Sequence, residues 1–261
     1  MSEQPCVVLC DLDGVVWLAH QAIAGAADGV AHLRAHGHRV LFVTNNSAAT
    51  LGSQEASLAA IGVPAVGDVV TSAQAAAQLV VPGERVLVCG DEGLVEAMLN
   101  RGAVLCDDDH PDVVVVGFHR SFGYEGLRRA SAAVRRGARL IGSNDDATYP
   151  TPDGPIPGGG AILAAVEKAS GVHPVVAGKP YAPMADLVRS VIGDGAVASA
   201  IMVGDRPETD GLFAQRLGCR YAQVWSGVTA TGATVTPPPD FIADDLGAFA
   251  RAFVTDRHAP R

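Results

Sequence analysis

The chain has 261 residues, with 19 Lys+Arg against 28 Asp+Glu, a formal net charge of −9 and a hydrophobic fraction of 48%. An acidic chain without a basic run is a poor binder of nucleic acid, whose affinity comes largely from Lys and Arg neutralising phosphates, and no apolar stretch approaches the ~20 residues of a bilayer-spanning helix. Met1–Pro5 lacks the basic start and apolar run of a secretory signal, and five scattered cysteines (Cys6, Cys10, Cys89, Cys106, Cys219) read as thiols kept reduced in the cytoplasm rather than as a disulfide or metal framework.

In chain order, short apolar runs alternate with longer segments of helical period, which predicts an α/β fold with a mainly parallel sheet. Strands are expected at Cys6–Cys10, Val40–Val43, Val86–Cys89, Val113–Val116, Arg139–Ile141, Val175–Ala177, Ala200–Val203 and Tyr221–Trp225. Helices are expected at Gly29–His36, Gln54–Ile61, Gly93–Arg101, Glu125–Arg136, Ile162–Ala169 and Pro183–Ile192. Gly37, Gly62, Gly102, Gly137 and Gly171 stand where a helix stop needs a residue tolerant of the left-handed conformation. Pro150–Gly160, with Pro150, Pro152, Pro155 and Pro157, is expected to form neither helix nor central strand, because proline lacks the donor that both need. It reads as a surface linker or as a loop lining substrate. Pro237–Pro239 reads as plain connection before a last apolar element around Phe241 and Leu246.

Ligands of open parallel sheets bind beyond the carboxyl ends of the strands, so the residues after each run carry the functional reading. The first run ends in Asp11-Leu12-Asp13-Gly14, two carboxylates whose repulsion a divalent cation would relieve, although a solvated Asp-Gly turn has the same letters. The second ends in Thr44-Asn45-Asn46-Ser47, which suits anionic oxygens or a plain helix cap. The sixth ends in Gly178-Lys179-Pro180, where one of only two lysines in the chain offers a point charge for a phosphate. The seventh ends in Gly204-Asp205, with Asp210 five residues later at a helix start. Each signal is weak alone. Four strand ends offering Asp, Thr, Lys and Asp are much less accidental together.

The roughly 135 residues between Thr44 and Lys179 are several times the ~30 of a strand–helix–strand unit. Three apolar runs with their helices fall inside, enough for a separate α/β domain with edges near Leu79–Gly83 and Gly171–Pro174.

The motifs DLDGVVW, VTNNS, GKP and GDRPETD, each after an apolar run and in this order, resemble those of haloacid dehalogenase superfamily phosphatases. SNDDATYP followed by PGGGAI resembles the α/β-capped branch with NagD-like, phosphoglycolate phosphatase-like and para-nitrophenylphosphatase enzymes. The resemblance covers roughly Val7 to Ala250. One departure is His119, in Phe118-His119-Arg120, where an aspartate is expected.

The resemblance implies a doubly wound, mainly parallel Rossmann-like core at 1–78 and 174–261, with a smaller α/β cap inserted at 79–173. It implies a phosphomonoesterase for small phosphorylated metabolites such as phosphoglycolate, glycerol phosphate, sugar phosphates or pyridoxal phosphate. Asp11 would be the nucleophile and form an aspartyl-phosphate; Asp13 would protonate the leaving group and later take a proton from water. Mg²⁺ would be held by Asp11, Asp205 and the Asp13 carbonyl, with Asp210 behind them to orient a water on the ion or Lys179. Thr44, the Asn45 amide and Lys179 would hold phosphoryl oxygens. From the cap, Asn144, Asp146, Tyr149 and Gly159 of the Pro157–Gly160 turn would contact the leaving group, the alternative being a structural role. The implied partner is a small phosphorylated metabolite, with no nucleic acid and no membrane, leaving a homodimer open.

A receiver domain, which also places Asp, Thr and Lys around Mg²⁺, is about half this length and has its metal-binding acids before the phosphorylated Asp. A catalytically inactive metabolite-binding relative is opposed by the intact Asp11/Asp13 pair. His32 and His36, with His38 nearby, read as surface histidines for want of a third ligand. Asp107-Asp108-Asp109 reads as a solvated turn, and Gly158-Gly159-Gly160 lacks the spacing and preceding strand of a dinucleotide fingerprint.

Overall fold

Apolar runs without alternation, such as Val113–Val116 with all four valines buried, are the mark of parallel strands covered on both faces. A computed structural model describes residues 6–18, 21–108, 110–151 and 153–256. Met1–Pro5, Asp109 and Pro152, which entered the sequence reading, lie outside them. The chain divides into two compact units. One comprises the chain up to Val43, Glu55–Val70 and the chain from Val188 onward; the other comprises Thr44–Gln54 and Thr71–Leu187.

The first unit is built on a parallel sheet in the order Phe241–Ala243, Arg220–Val224, Ile201–Gly204, Val7–Cys10, Arg39–Thr44, Val69–Thr71. Val7–Cys10 pairs with Arg39–Thr44 on one side and Ile201–Gly204 on the other, so the winding reverses at this strand. The crevice beyond its carboxyl end is the switch point at which doubly wound sheets take their ligands. Helices Ala26–Ala35 and Leu246–Asp256 pack so tightly that a Cβ on Gly29 would come within 3.0 Å of the Leu246 carbonyl oxygen. Phe249 and Phe253 stack in the core beneath, with ring centroids 5.1 Å apart.

The second unit holds another parallel sheet, ordered Val175–Val176, Arg139–Gly142, Val113–Val116, Arg85–Cys89, Val104–Leu105. Helices Tyr124–Arg135 and Gly159–Ser170 supply Ala130, Ala133, Val134, Leu163 and Val166 to a core with Leu87, Val114, Val116 and Leu140.

Every expected strand and helix is present within a few residues, and the five helix-stopping glycines all have positive φ. Two readings are corrected. Pro150–Gly160 contributes Ile156–Pro157, paired antiparallel with Thr148–Tyr149, and its last two glycines open the helix Gly159–Ser170. Proline's missing donor does not bear on that helix start, where the first amides have no intrahelical partner in any case. His38 is not a surface histidine: it is 6% exposed, its Nδ1 lies 3.2 Å from the Cys6 sulfur, and its ring meets Phe253. His32 is half-buried and His36 exposed. Cys6, Cys10 and Cys89 are buried, Cys106 and Cys219 half-buried, and none of the five forms a disulfide. No described helix is long and apolar enough to cross a membrane.

Candidate active site

In the first unit, the sheet ladder continues one residue past Cys10, with the Asp11 amide donating to the Val203 carbonyl at 2.9 Å. The chain then turns sharply, and the Leu12 carbonyl accepts from the amides of Val16 and Trp17. Gly14 makes this turn at φ +89°, and a Cβ there would stand 2.5 Å from Asp205 Oδ2, so a side chain is excluded by conformation and by space. Asp13 is half-buried within the turn and bridges to Trp17.

Asp205 follows Ile201–Gly204, and the π-helical turn Pro207–Gly211 brings Asp210 back against Gly204. The Arg206 amide donates to Asp210 Oδ2 at 3.1 Å. One carboxylate oxygen from each of Asp11, Asp205 and Asp210 lies within 4.8 Å of the others, and the three residues are 8%, 0% and 0% exposed. Two like charges ~4 Å apart repel by about 4 kcal/mol at an effective dielectric of 20, so three such carboxylates call for a cation. An all-carboxylate oxygen set fits a hard divalent ion such as Mg²⁺ or Ca²⁺.

A further loop, absent from the sequence reading, wraps Asp205. The Val228 amide donates to its Oδ2 at 2.8 Å, the Thr229 hydroxyl donates to its carbonyl, and Ser226 Oγ donates to the Gly14 carbonyl at 2.7 Å. A Cβ on Gly227 would come 2.0 Å from Asp205 Oδ2. The sequence carries a signal for it, since this loop follows the run Tyr221–Trp225 at its carboxyl end, the position that Asp11 and Asp205 hold after their own runs. Burial, aided by the charges of Asp210, Asp205, Glu208 and Asp11, pushes the Tyr221 phenol well above its ordinary range, placing that ring among the same acids.

In the second unit, Thr44 and Lys179 are each 1% exposed. Thr44 Oγ1 accepts from the Asn46 amide at 3.0 Å. Asn45 is the hub: Oδ1 accepts from the Lys179 amide at 2.8 Å, while Nδ2 donates to the Lys179 carbonyl at 3.1 Å and to Asp146 Oδ2 at 3.0 Å. The Asn45 carbonyl accepts from Asn144 Nδ2 at 2.8 Å and Ser72 Oγ at 2.7 Å. Asn144 and Asp146 thus each bond to Asn45. Tyr149 packs against Phe118 with centroids 5.5 Å apart, and Gly159 fits beside the Phe118 amide and Asn144, both within 3.2 Å of its would-be Cβ. His119 Nε2 lies 3.0 Å from Ser121 Oγ and 3.9 Å from Asp91 Oδ1.

The profile described as haloacid dehalogenase-like hydrolase matches residues 8–103, and a second, described as HAD-hydrolase-like, matches residues 176–249. The chain is similar to the D-glycerol 3-phosphate phosphatase of Mycobacterium tuberculosis, 38% identical over 94% of this chain and 70% of the relative. It is 35% identical to the acid sugar phosphatase of Staphylococcus saprophyticus over 91% of this chain and 94% of the relative. Among solved structures it resembles the M. tuberculosis glycerol phosphate phosphatase in complex with magnesium, with a TM-score of 0.84 and 36% identity over 94% of this chain and 77% of that one.

Proposed function

The chain belongs to the haloacid dehalogenase-like hydrolases, as a phosphoric monoester hydrolase, and on that premise we propose that it removes phosphate from small phosphorylated metabolites through an aspartyl-phosphate on Asp11. The observation that carries this reading is the buried cluster of Asp11, Asp205 and Asp210, whose mutual repulsion a bound divalent cation would relieve. Glycerol phosphate and sugar phosphates are the preferred substrates, by similarity to the relatives named for them.

A phosphate monoester dianion repels nucleophiles, so catalysis is mainly positioning and charge neutralisation around a loose in-line transition state. Asp11, held at the end of the central strand, attacks phosphorus as the ester oxygen departs. Asp13, on the flank of the same turn, gives that oxygen its proton and then takes one from the water that cleaves the acyl phosphate. Asp11, Asp205 and the Asp13 carbonyl, with the support of Asp210, would hold Mg²⁺, which would supply charge neutralisation there. Thr44, the Asn45 amide and Lys179 serve the phosphoryl oxygens. Asn144 and Asp146 act through Asn45, while Tyr149 and Gly159 are the proposed leaving-group contacts of an inserted cap, residues 79–173. We place the enzyme in the cytoplasm, in keeping with five scattered cysteines that suit a reducing compartment.

Phosphate release from p-nitrophenyl phosphate and from a panel of small phosphorylated metabolites, with Mg²⁺ present, tests the proposal. Glycerol phosphate and sugar phosphates are expected to lead phosphoglycolate and pyridoxal phosphate. Failure to hydrolyse any member of the panel overturns the reading.

A further inference from the structure

Beyond the ligands themselves, the structure contains a buried polar relay that ends on Asp205. Strands Ile201–Gly204 and Arg220–Val224 run parallel with Met202 opposite Tyr221 and Gly204 opposite Gln223, and the two-residue period of a strand puts Tyr221 and Gln223 on one face. Gln223 is fully buried, in a run, Tyr221-Ala222-Gln223-Val224, that is otherwise buried strand. An amide in such a place is costly unless every polar atom is used. Here they are: Nε2 donates to the Asp205 carbonyl at 3.0 Å and to the Val224 carbonyl at 2.7 Å, and Oε1 accepts from the Tyr221 hydroxyl at 2.5 Å. Tyr221 is itself anchored, its amide donating to Asp240 Oδ2 at 2.9 Å and its carbonyl accepting from the Asp240 amide at 2.8 Å.

We propose that Tyr221 and Gln223 are positioning residues for the divalent-cation site: Gln223 pins the main chain of Asp205 while the Val228 amide pins its carboxylate, so the ligand is held ready before the ion arrives. The inference rests on the metal-site reading above. Nothing in the sheet itself requires the arrangement, since an apolar side chain at position 223 would fill the same buried strand. The amide's one long-range bond goes to the residue that carries the ligand. Groups that orient metal ligands typically contribute 10–100-fold to affinity, because the ligand must sit within about 0.5 Å of its place.

Calorimetric titration of the metal-free enzyme with Mg²⁺, on wild type, Gln223→Met and Tyr221→Phe, tests this. Gln223→Met keeps the volume and removes the donor; its Kd for Mg²⁺ is expected to rise about 10–100-fold, and that of Tyr221→Phe by a smaller, several-fold factor. At saturating Mg²⁺, KM for p-nitrophenyl phosphate should stay within about two-fold of wild type, because only the ligand's poise is lost. Phe253→Leu, a core change elsewhere in the unit, should lower the melting temperature without moving the Mg²⁺ affinity, which separates positioning from general loosening. Wild-type affinity in both site variants overturns the inference. If Gln223→Met fails to fold, Tyr221→Phe decides alone. A wild type that binds no Mg²⁺ overturns the metal-site reading beneath it, a failure distinct from unchanged affinity in the variants.

Discussion

The side-chain amide of Asn45 grips the peptide of Lys179 from both sides, donating to its carbonyl at 3.1 Å and accepting from its amide at 2.8 Å. An asparagine here does what a neighbouring strand would do, at the point where the edge strand Val175–Val176 has ended and Pro180 offers no donor. Lys179 thereby gains a fixed backbone despite standing in a loop. Asn45→Asp keeps the acceptor but turns an anionic oxygen toward the Lys179 carbonyl and the Asp146 carboxylate. Stability should fall by about 1–3 kcal/mol in urea denaturation, and activity should fall with it. Adding Asp146→Asn restores a donor between the two side chains and should recover part of the loss; a double variant no better than the single would argue against the contact.

Asp11→Asn is expected to lower phosphate release by at least about a thousand-fold, as loss of a nucleophile does. Without added metal its melting temperature should equal or exceed that of wild type, because one of three crowded charges has gone. Turnover near the wild-type rate would remove Asp11 from the chemistry.

Chelation should abolish activity and Mg²⁺ should restore it. An ion at a hundred times its Kd stabilises the folded state by about 2.7 kcal/mol, so a thermal melt should shift upward with added Mg²⁺. Asp205→Asn should blunt that shift, and an identical shift in the variant would place the ion elsewhere.

Gly227→Ala drives a methyl group into Asp205 Oδ2 and should cost about 1–3 kcal/mol by overpacking, together with weaker Mg²⁺ binding. Gly195→Ala, with nothing within 4 Å of the added carbon and an ordinary φ, should be neutral or slightly stabilising. Equal stability and equal affinity in both variants would contradict the close approach at Gly227.

Burial pushes the thiols of Cys89 and Cys219 up to about 12, from the ordinary 9.0 of the unfolded chain. Above pH 9 the unfolded chain loses these protons and the folded chain keeps them. Stability is therefore intact below pH 9 and falls as pH rises from 9 toward 12, by at most about 1.4 kcal/mol per pH unit for each thiol. Urea midpoints at pH 8 and pH 10.5 check the slope, and at pH 8 iodoacetamide should label the buried Cys89 only after denaturation.

The strands were legible because a parallel strand covered on both faces must be apolar throughout, as Val113–Val116 and Val40–Val43 are. Asp11 and Asp205 were legible because they follow such runs. Elements too short to show a period escaped: Val69–Thr71, the exposed edge Val104–Leu105, and the helix Ser72–Gln78. That helix had announced its start, with Thr71 and Gln74 forming a reciprocal capping box. Gln223 and His38 could not be read, because what makes each a buried, bonded polar group is a partner distant along the chain, Asp205 for one and Cys6 for the other. Asn144 and Asp146 stand out by motif, but their bonds to Asn45 cross about a hundred residues and appear only in three dimensions.

The place of Val7–Cys10 between Arg39–Thr44 and Ile201–Gly204 has a consequence for biosynthesis. Its first neighbour leaves the ribosome soon after it, but the second follows almost 200 residues later, roughly 10–40 s at ~5–20 residues/s. For that interval a strand of apolar side chains waits with the hydrogen-bonding groups of one flank unpaired. Newborn copies are thus most exposed to chaperones and to one another during translation, long before the finished enzyme meets its first ester.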